Sequence, residues 1–350
     1  MEQVRYRVRG GGALRGTAFV QGAKNAALPM IAAALLAARG RTVLRNVPLI
    51  DDVRRAAELA RAVGAQVEFH EDERTMVIDA ATLDSPVLPG YLTRSFRGSV
   101  LFVPALLHRL GEAVVEGVGG CNLGSRNLDF HYRGFARLGA AVAEEAERIR
   151  LKCGPLTGAH LYLDTPSVTG TENLIVASVL ARGSTVIDNA ALEPEVLDVI
   201  EFLTRMGARI GGGGSGFVRV DGVDALTAVE YSIMPDRIDA GVLAMAVAAT
   251  GGEVSLVGAT LEHFGVARWK LEQMGVELAS SGAVLQVRRE RPLRPINVIT
   301  DPYPGFATDL QSPLIASPAS PTAPATCARA STTAASASPA SSTRWAPTCA

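Results

Sequence analysis

Aromatic residues are scarce: Phe, Tyr and Trp make up 5% of the 350 residues, against 48% hydrophobic residues in all. Burial must rest on Ala, Val, Leu and Ile, which disfavours an aromatic-lined or loop-rich architecture and favours tightly packed helices and sheet. A dominant charge is missing too. With a formal net charge of −1 at pH 7, the chain shows no electrostatic footprint for nucleic acid or an anionic membrane surface, and any anion it binds must be held by a few local cations. Four cysteines stand at irregular spacing, with neither a CxxC pair nor a Cys/His zinc pattern, which fits a reducing compartment and implies no metal site. The N-terminal "MEQVRYRVRGGG" lacks the apolar core of a secretory signal. The longest apolar run, "AALPMIAAALLAA" from Ala26, carries a proline and falls short of the roughly 20 residues that span a membrane. A soluble, cytoplasmic protein is the expectation.

What the sequence does have is length and repetition. A chain of 350 residues exceeds one ordinary core, so two domains are expected. An Ala-rich helical stretch, a Gly before a Val-bearing strand, a second helical stretch and a "GA-x-V"-like close recur along it. The copies run from "AARGRTVL" at Ala37 to "VGAQVEF" at Val63, "HRLGEAVV" at His108 to "LGAAV" at Leu138, "LARGSTVI" at Leu180 to "MGARI" at Met206, and "ATGGEVSLV" at Ala249 to "MGVEL" at Met274. A period of roughly 70 residues is too long for a solenoid unit and suits a small βαβ-containing module. Helices with apolar residues at i, i+3 and i+4 are predicted from Asp51 and from Glu193. Each begins with acidic residues, suited to the positive end of a helix, and ends at a glycine suited to a left-handed cap.

A fifth copy begins at "TDPYPGFATDLQ" from Thr300, and then the composition changes. From Ser312 to Ala350 the chain is almost wholly Ser, Ala, Thr and Pro, without Asp, Glu, Lys or Gly. Such a segment buries too little surface to offset chain entropy, so it is read as a disordered tail. Two origins are open, a natural tail or a shift of reading frame near Gln311. The stop in mid-unit favours the second.

Candidate chemistry gathers in four stretches. "VGGCNLGSRNLDFH", Val118 to His131, follows the strand-like "GEAVVEGV" and sets Cys121 on a glycine-rich excursion, where a cation such as Arg126 can lower a thiol pKa. A lone cysteine is more often a small hydrophobe, and Cys153, beside "RIRLKC", takes that reading. "VQGAKNAALPM" puts Lys24 and Asn25 just before a helix, where backbone N–H groups and the dipole favour an anion. A solvated lysine is the bland alternative. "SFRGSV" carries Arg97, and "MPDRIDAG" carries Arg237 between two acids, where a surface ion pair would also account for it. No one of these stretches identifies a function.

Together they do. "GAKNAALP", "FRGS", "GGCNLGSRNLDFH", "PSVTGTEN", "LEPEV", "MPDRID" and "PYPGFATDLQ", in order between Val4 and Gln311, make the chain resemble the enolpyruvyl transferase family, in the branch that uses UDP-N-acetylglucosamine. The resemblance implies an α/β fold of two inside-out α/β barrels built from repeated βαβ-containing modules, with the active site in the cleft between the domains. It implies a first domain of residues 1–22 plus 232–311, lacking its second half, and a second of residues 23–231 with the cysteine loop. The implied reaction moves the enolpyruvyl group of phosphoenolpyruvate to the 3′-hydroxyl of UDP-N-acetylglucosamine and releases phosphate, without metal or cofactor, at the entry to peptidoglycan precursor synthesis.

By the same resemblance, Lys24 and Asn25 contact phosphoenolpyruvate, Arg97 contacts a substrate, and Arg126 and Arg237 add positive charge. Cys121 matches the proton donor that fosfomycin alkylates, and Asp309 the carboxylate near the sugar hydroxyl. The nucleotide sugar lies along Arg126, Asn127, Leu128, Asp129 and Phe130 and along Thr165, Pro166, Ser167 and Val168. His131 and Asp129 order the loop, serve the uridine side, or are structural. Asn127 stands where many relatives have proline. The family's C-terminal arginines have no counterpart, so negligible phosphate release by this chain is expected. Two alternatives remain: 3-phosphoshikimate 1-carboxyvinyltransferase, whose N-terminal Lys-Ser pattern is absent, and a non-catalytic sugar-nucleotide-binding protein.

Overall fold

The structure, a computed structural model, describes residues 11–117, 129–145, 147–317 and 326–329. The chain divides into two compact units, one of Gln21–Pro235 and one of Met1–Val20 with Asp236–Ala350. β1 (Leu14–Phe19) belongs to the second of these.

The unit of Gln21–Pro235 writes one module three times. Its elements are α1 (Lys24–Ala34), β2 (Arg41–Arg45), α2 (Asp51–Ala62), β3 (Gln66–His70), β4 (Thr75–Asp79), β5 (Val87–Leu88), α3 (Gly90–Thr93), a 3-10 turn (Arg97–Phe102), α4 (Val103–Leu110) and β6 (Glu112–Glu116). Then come α5 (Asp129–Arg137), β7 (Ala141–Glu145), β8 (Arg148–Lys152), β9 (His160–Tyr162), α6 (Val168–Ser178), β10 (Ser184–Asp188), α7 (Pro194–Arg205), β11 (Arg209–Gly211), β12 (Phe217–Asp221) and β13 (Glu230–Ser232). The sheets run β13-β2-β4-β3, β5-β6-β8-β7 and β11-β12-β10-β9. In each, one short strand pairs in parallel with the strand after the Gly, and the rest is antiparallel.

The other unit carries the same pattern once more. It contains α8 (Arg237–Thr250), β14 (Gly252–Val257), α9 (Val266–Met274), β15 (Glu277–Ser281), β16 (Val284–Arg289), β17 (Asn297–Thr300), α10 (Gln311–Ala316) and β18 (Thr326–Arg329). Its four-stranded sheet is β1-β14-β16-β15, and β17 pairs in parallel with β18. The glycines read as module punctuation do this work with positive φ. Gly64, Gly139, Gly207 and Gly275, which close the helices, stand at +100°, +103°, +110° and +98°, where a Cβ would be strained.

Helices that are apolar all round belong in a core. Ala26 to Ala34 of α1 are buried; α6 is buried from Gly170 to Ser178 as well, although it carries Thr171, Glu172 and Asn173, and both helices pack among α7 and the 3-10 turn inside the first unit. The Ala-rich run is thus a core helix, and among the described residues no helix is long and apolar enough to cross a membrane. α2 and α7 are amphipathic and begin with Asp51, Asp52 and Glu195 in the first turn. The second unit has its own core around Met245, Leu271, Leu285 and Phe306.

Two expectations need correction. Lys24 is the first residue of α1, not a residue before it, because the helix starts directly after extended Ala23. The segment from Ser312 is not without structure throughout. Leu314 is buried, Ser317 Oγ donates to the carbonyl of Met245 at 3.2 Å, and β18 gains a ladder on β17. Leu314, apolar within a Ser/Ala/Pro-rich composition, packs into the core of its unit.

Candidate active site

Cys121, Arg126, Asn127 and Leu128 lie outside the described residues, as do the backbone positions 118–128 around them. Asp129 opens α5, and its side chain is likewise outside the description. The remaining nominated residues of the Gln21–Pro235 unit can be built up in turn.

Lys24 stands at the mouth of α1. Ala23 at the N-cap offers no side chain to the first turn. Ala23 N–H donates to the carbonyl of Met234 at 2.7 Å, and Gly22 bridges Pro235, where a Cβ at Gly22 would meet the carbonyl oxygen of Asn46 at 1.8 Å. The close approach that only glycine allows therefore fixes where α1 begins. Lys24 Nζ pairs with Asp52 Oδ2 at 2.6 Å, both side chains being partly exposed. A pair of this kind is worth about 0–1 kcal/mol. Asn25 follows, half-buried. Pro29 lacks the N–H that would otherwise meet the Asn25 carbonyl.

A second group converges where α5 meets α6. Arg97 opens the 3-10 turn and is exposed. From the same turn, the carbonyl of Val100 accepts from Asn173 Nδ2 on α6 at 3.2 Å, and that Nδ2 lies 2.9 Å from Nδ1 of His131 on α5. Arg133, two residues further along α5, ties the two other nominated segments together: its guanidinium carbon is 5.5 Å from the centroid of the Phe130 ring, and its Nη2 lies 2.7 Å from Asp164 Oδ2, just before Thr165. Thr165 is half-buried, Pro166 exposed and Val168 half-buried. Ser167 is the N-cap of α6, its Oγ accepting from Gly170 N–H at 3.1 Å, so its hydroxyl already serves the helix. Arg97, Phe130 and Thr165–Val168 are thus linked to one junction, while Lys24 belongs to α1.

Three acids that sequence reading treated as helix-end or motif residues are buried. Glu172 is fully buried, and neither carboxylate oxygen has a partner. Burial first, then the negative fields of Glu195 and Glu193, push its pKa well above the ordinary glutamate value. His131 shifts the other way: burial, then the positive field of Arg97, brings it down to about 4. The available signal was the run Thr171-Glu172-Asn173, polar residues inside an otherwise apolar helix pattern. Among the described residues, no group of His, Cys, Asp or Glu is arranged to hold a metal ion. Cys153 is half-buried, Sγ 3.7 Å from the Leu107 carbonyl, and burial pushes its thiol pKa up.

In the other unit, Arg237 is buried, not a surface residue, with its guanidinium carbon 5.1 Å from the centroid of Tyr303. Asp236 caps α8 by accepting from Ile238 and Asp239 N–H at 2.7 and 3.2 Å. Asp309 sits exposed in a short 3-10 turn (Thr308–Leu310) held by buried Phe306 and Leu310.

Repeated four-stranded modules around buried helices, with cations and carboxylates at helix starts, define a class. The chain belongs to the enolpyruvyl transferase family: residues 8–323 match the family described as EPSP synthase (3-phosphoshikimate 1-carboxyvinyltransferase). Among individual proteins, it is 70% identical over 322 residues to the UDP-N-acetylglucosamine 1-carboxyvinyltransferase of Thermobifida fusca (strain YX), covering 90% of this chain and 75% of that protein. It is 44% identical over 312 residues to UDP-N-acetylglucosamine 1-carboxyvinyltransferase 2 of Symbiobacterium thermophilum, covering 89% and 73%. The crystal structure of the enolpyruvyl transferase NikO from Streptomyces tendae shares the fold, with a TM-score of 0.81 at 22% identity, over 91% of this chain and 76% of that one.

Proposed function

We propose that this chain carries the substrate-binding and proton-transfer residues for moving the enolpyruvyl group of phosphoenolpyruvate to the 3′-hydroxyl of UDP-N-acetylglucosamine, with negligible phosphate release expected of the chain itself. Lys24 and Asn25 hold phosphoenolpyruvate, with Arg126 and Arg237 completing the positive charge that its phosphate and carboxylate require. Cys121 gives its proton to the methylene carbon as the sugar oxygen bonds to the adjacent carbon, and Asp309 takes the hydroxyl proton. Loss of phosphate with its bonding electrons, and of a proton from the methyl carbon, restores the double bond. Arg97, Arg126 to Phe130 and Thr165 to Val168 carry the nucleotide sugar. Lys24, Arg97 and Thr165–Val168 belong to the unit of Gln21–Pro235, the sugar-nucleotide domain in this reading, and Arg237 and Asp309 belong to the other unit.

The observation that carries this reading is the 70% identity to a protein named for that activity. The junction of α5 and α6, to which Arg97, Phe130 and Thr165–Val168 are linked, supports it. Calorimetric titration of the full chain tests it: saturable binding of UDP-N-acetylglucosamine and none of shikimate 3-phosphate is expected. The reverse preference, or binding of neither, overturns it.

A further inference from the structure

His131 lies in the first turn of α5 with 4% of its surface exposed, and Asn173, which holds its ring from α6, is wholly buried. The sense of the Asn173 amide is fixed by chemistry. The Val100 carbonyl can only accept, so the amide NH2, and not Oδ1, faces it at 3.2 Å. The second hydrogen of that NH2 is directed at His131 Nδ1, 2.9 Å away, which must then present a lone pair. Asn173 Oδ1 itself has no partner, so the amide keeps this orientation at the expense of its own acceptor. A proton on Nδ1 would set N–H against N–H in a buried place, and among the described residues Arg97 is the charged side chain whose field reaches the ring and opposes protonation further.

We infer that His131 is a positioning residue for nucleotide-sugar binding: Asn173, oriented by Val100, locks it as the neutral Nε2–H tautomer, which braces the first turn of α5 without adding a second positive charge beside Arg97. A freely titrating imidazole here would repel the Arg97 guanidinium and let the ring turn. The locked ring keeps a second positive charge out of this junction and holds Phe130, its chain neighbour, in the helix. The inference rests on the proposed contacts of Arg97 and Phe130 with UDP-N-acetylglucosamine.

The test titrates the full chain and two variants with UDP-N-acetylglucosamine. In H131L/N173L both partners become apolar groups of similar size, a change that is nearly neutral for folding. It should remain folded and bind about tenfold more weakly. H131Q, whose side-chain carbonyl can accept from Asn173, should stay within about threefold of the unaltered chain. Normal binding by the folded double variant, with the unaltered chain also binding, overturns this inference alone. Absence of binding by the unaltered chain overturns the functional reading and this inference with it. Nitrogen-detected NMR of His131 in the unaltered chain gives an answer even if the double variant does not fold. One neutral Nε2–H tautomer across about pH 5 to 8 is expected, and titration near the ordinary histidine value overturns the lock.

Discussion

α1 and α8 follow the two crossings of the chain between its units, and they begin in opposite ways. α1 starts after Ala23, which has no capping side chain, and shows Lys24 to solvent beside Asp52. α8 starts after Asp236, whose carboxylate accepts from two first-turn N–H groups, and its first residue, Arg237, is buried against Tyr303. A third start, α6, is capped by Ser167. A cap closes a helix mouth to other acceptors, whereas an uncapped mouth with a lysine at it favours an added anion. The difference teaches that equivalent helices of a repeated module are specialised by one residue at the N-cap.

The largest test of that contrast is K24A. Removing the cation from the uncapped mouth should slow UDP-N-acetylglucosamine-promoted reaction of Cys121 with fosfomycin about 100-fold, by analogy with loss of one preorganised charge-stabilising group. An unchanged labelling rate would break the contrast.

Next comes pH, read on the capped helix α6 and its neighbour α5. Glu172 holds its proton more tightly in the fold than the ordinary glutamate value of 4.5. The folded chain therefore binds more protons than the unfolded one above that pH, and Glu172 draws stability down as pH rises. His131, whose pKa falls from 6.5 to about 4, does the reverse: the unfolded chain takes up protons first as pH drops through that window, and stability falls there. Thermal unfolding against pH should thus lose the Glu172 contribution to its decline as pH rises above 4.5 in E172Q, and its decline as pH falls from 6.5 to about 4 in H131Q. Curves parallel to that of the unaltered chain would contradict both assignments.

Smaller effects follow from exchanging the caps. D236A should destabilise its unit by about 1 kcal/mol in denaturant unfolding, because two first-turn N–H groups lose their acceptor. A23S adds a hydroxyl where the backbone is already extended. It should gain at most about 0.5 kcal/mol of stability and weaken phosphoenolpyruvate binding a few-fold, by competing for the first turn.

Much of the fold was legible because glycines with positive φ recur at fixed places in each module and periodic apolar residues separate α2 and α7 from their loops. The buried helices gave a weaker signal. α1 was expected as a helix, but its burial on all sides was not, since such a helix has no polar stripe to show which face it buries. The individual cations were visible, but not their environments. For Arg237 a surface ion pair stood beside an anion-binding role as an alternative, because Tyr303, the ring it meets, is 66 positions away in sequence (303 minus 237). His131 and Asn173 are 42 positions apart, and nothing local to either announces the amide that links them. Glu172, within a quoted motif, received no role, because burial without a partner is a property of packing and not of spacing.

The most direct measurement is mass spectrometry of the full chain after exposure to fosfomycin, with and without UDP-N-acetylglucosamine. A single adduct on Cys121, formed faster when the nucleotide sugar is present, is the expected result. No adduct, an adduct elsewhere such as Cys153, or a rate indifferent to the nucleotide sugar would contradict a thiol and a lysine-bearing helix mouth acting together on an anion.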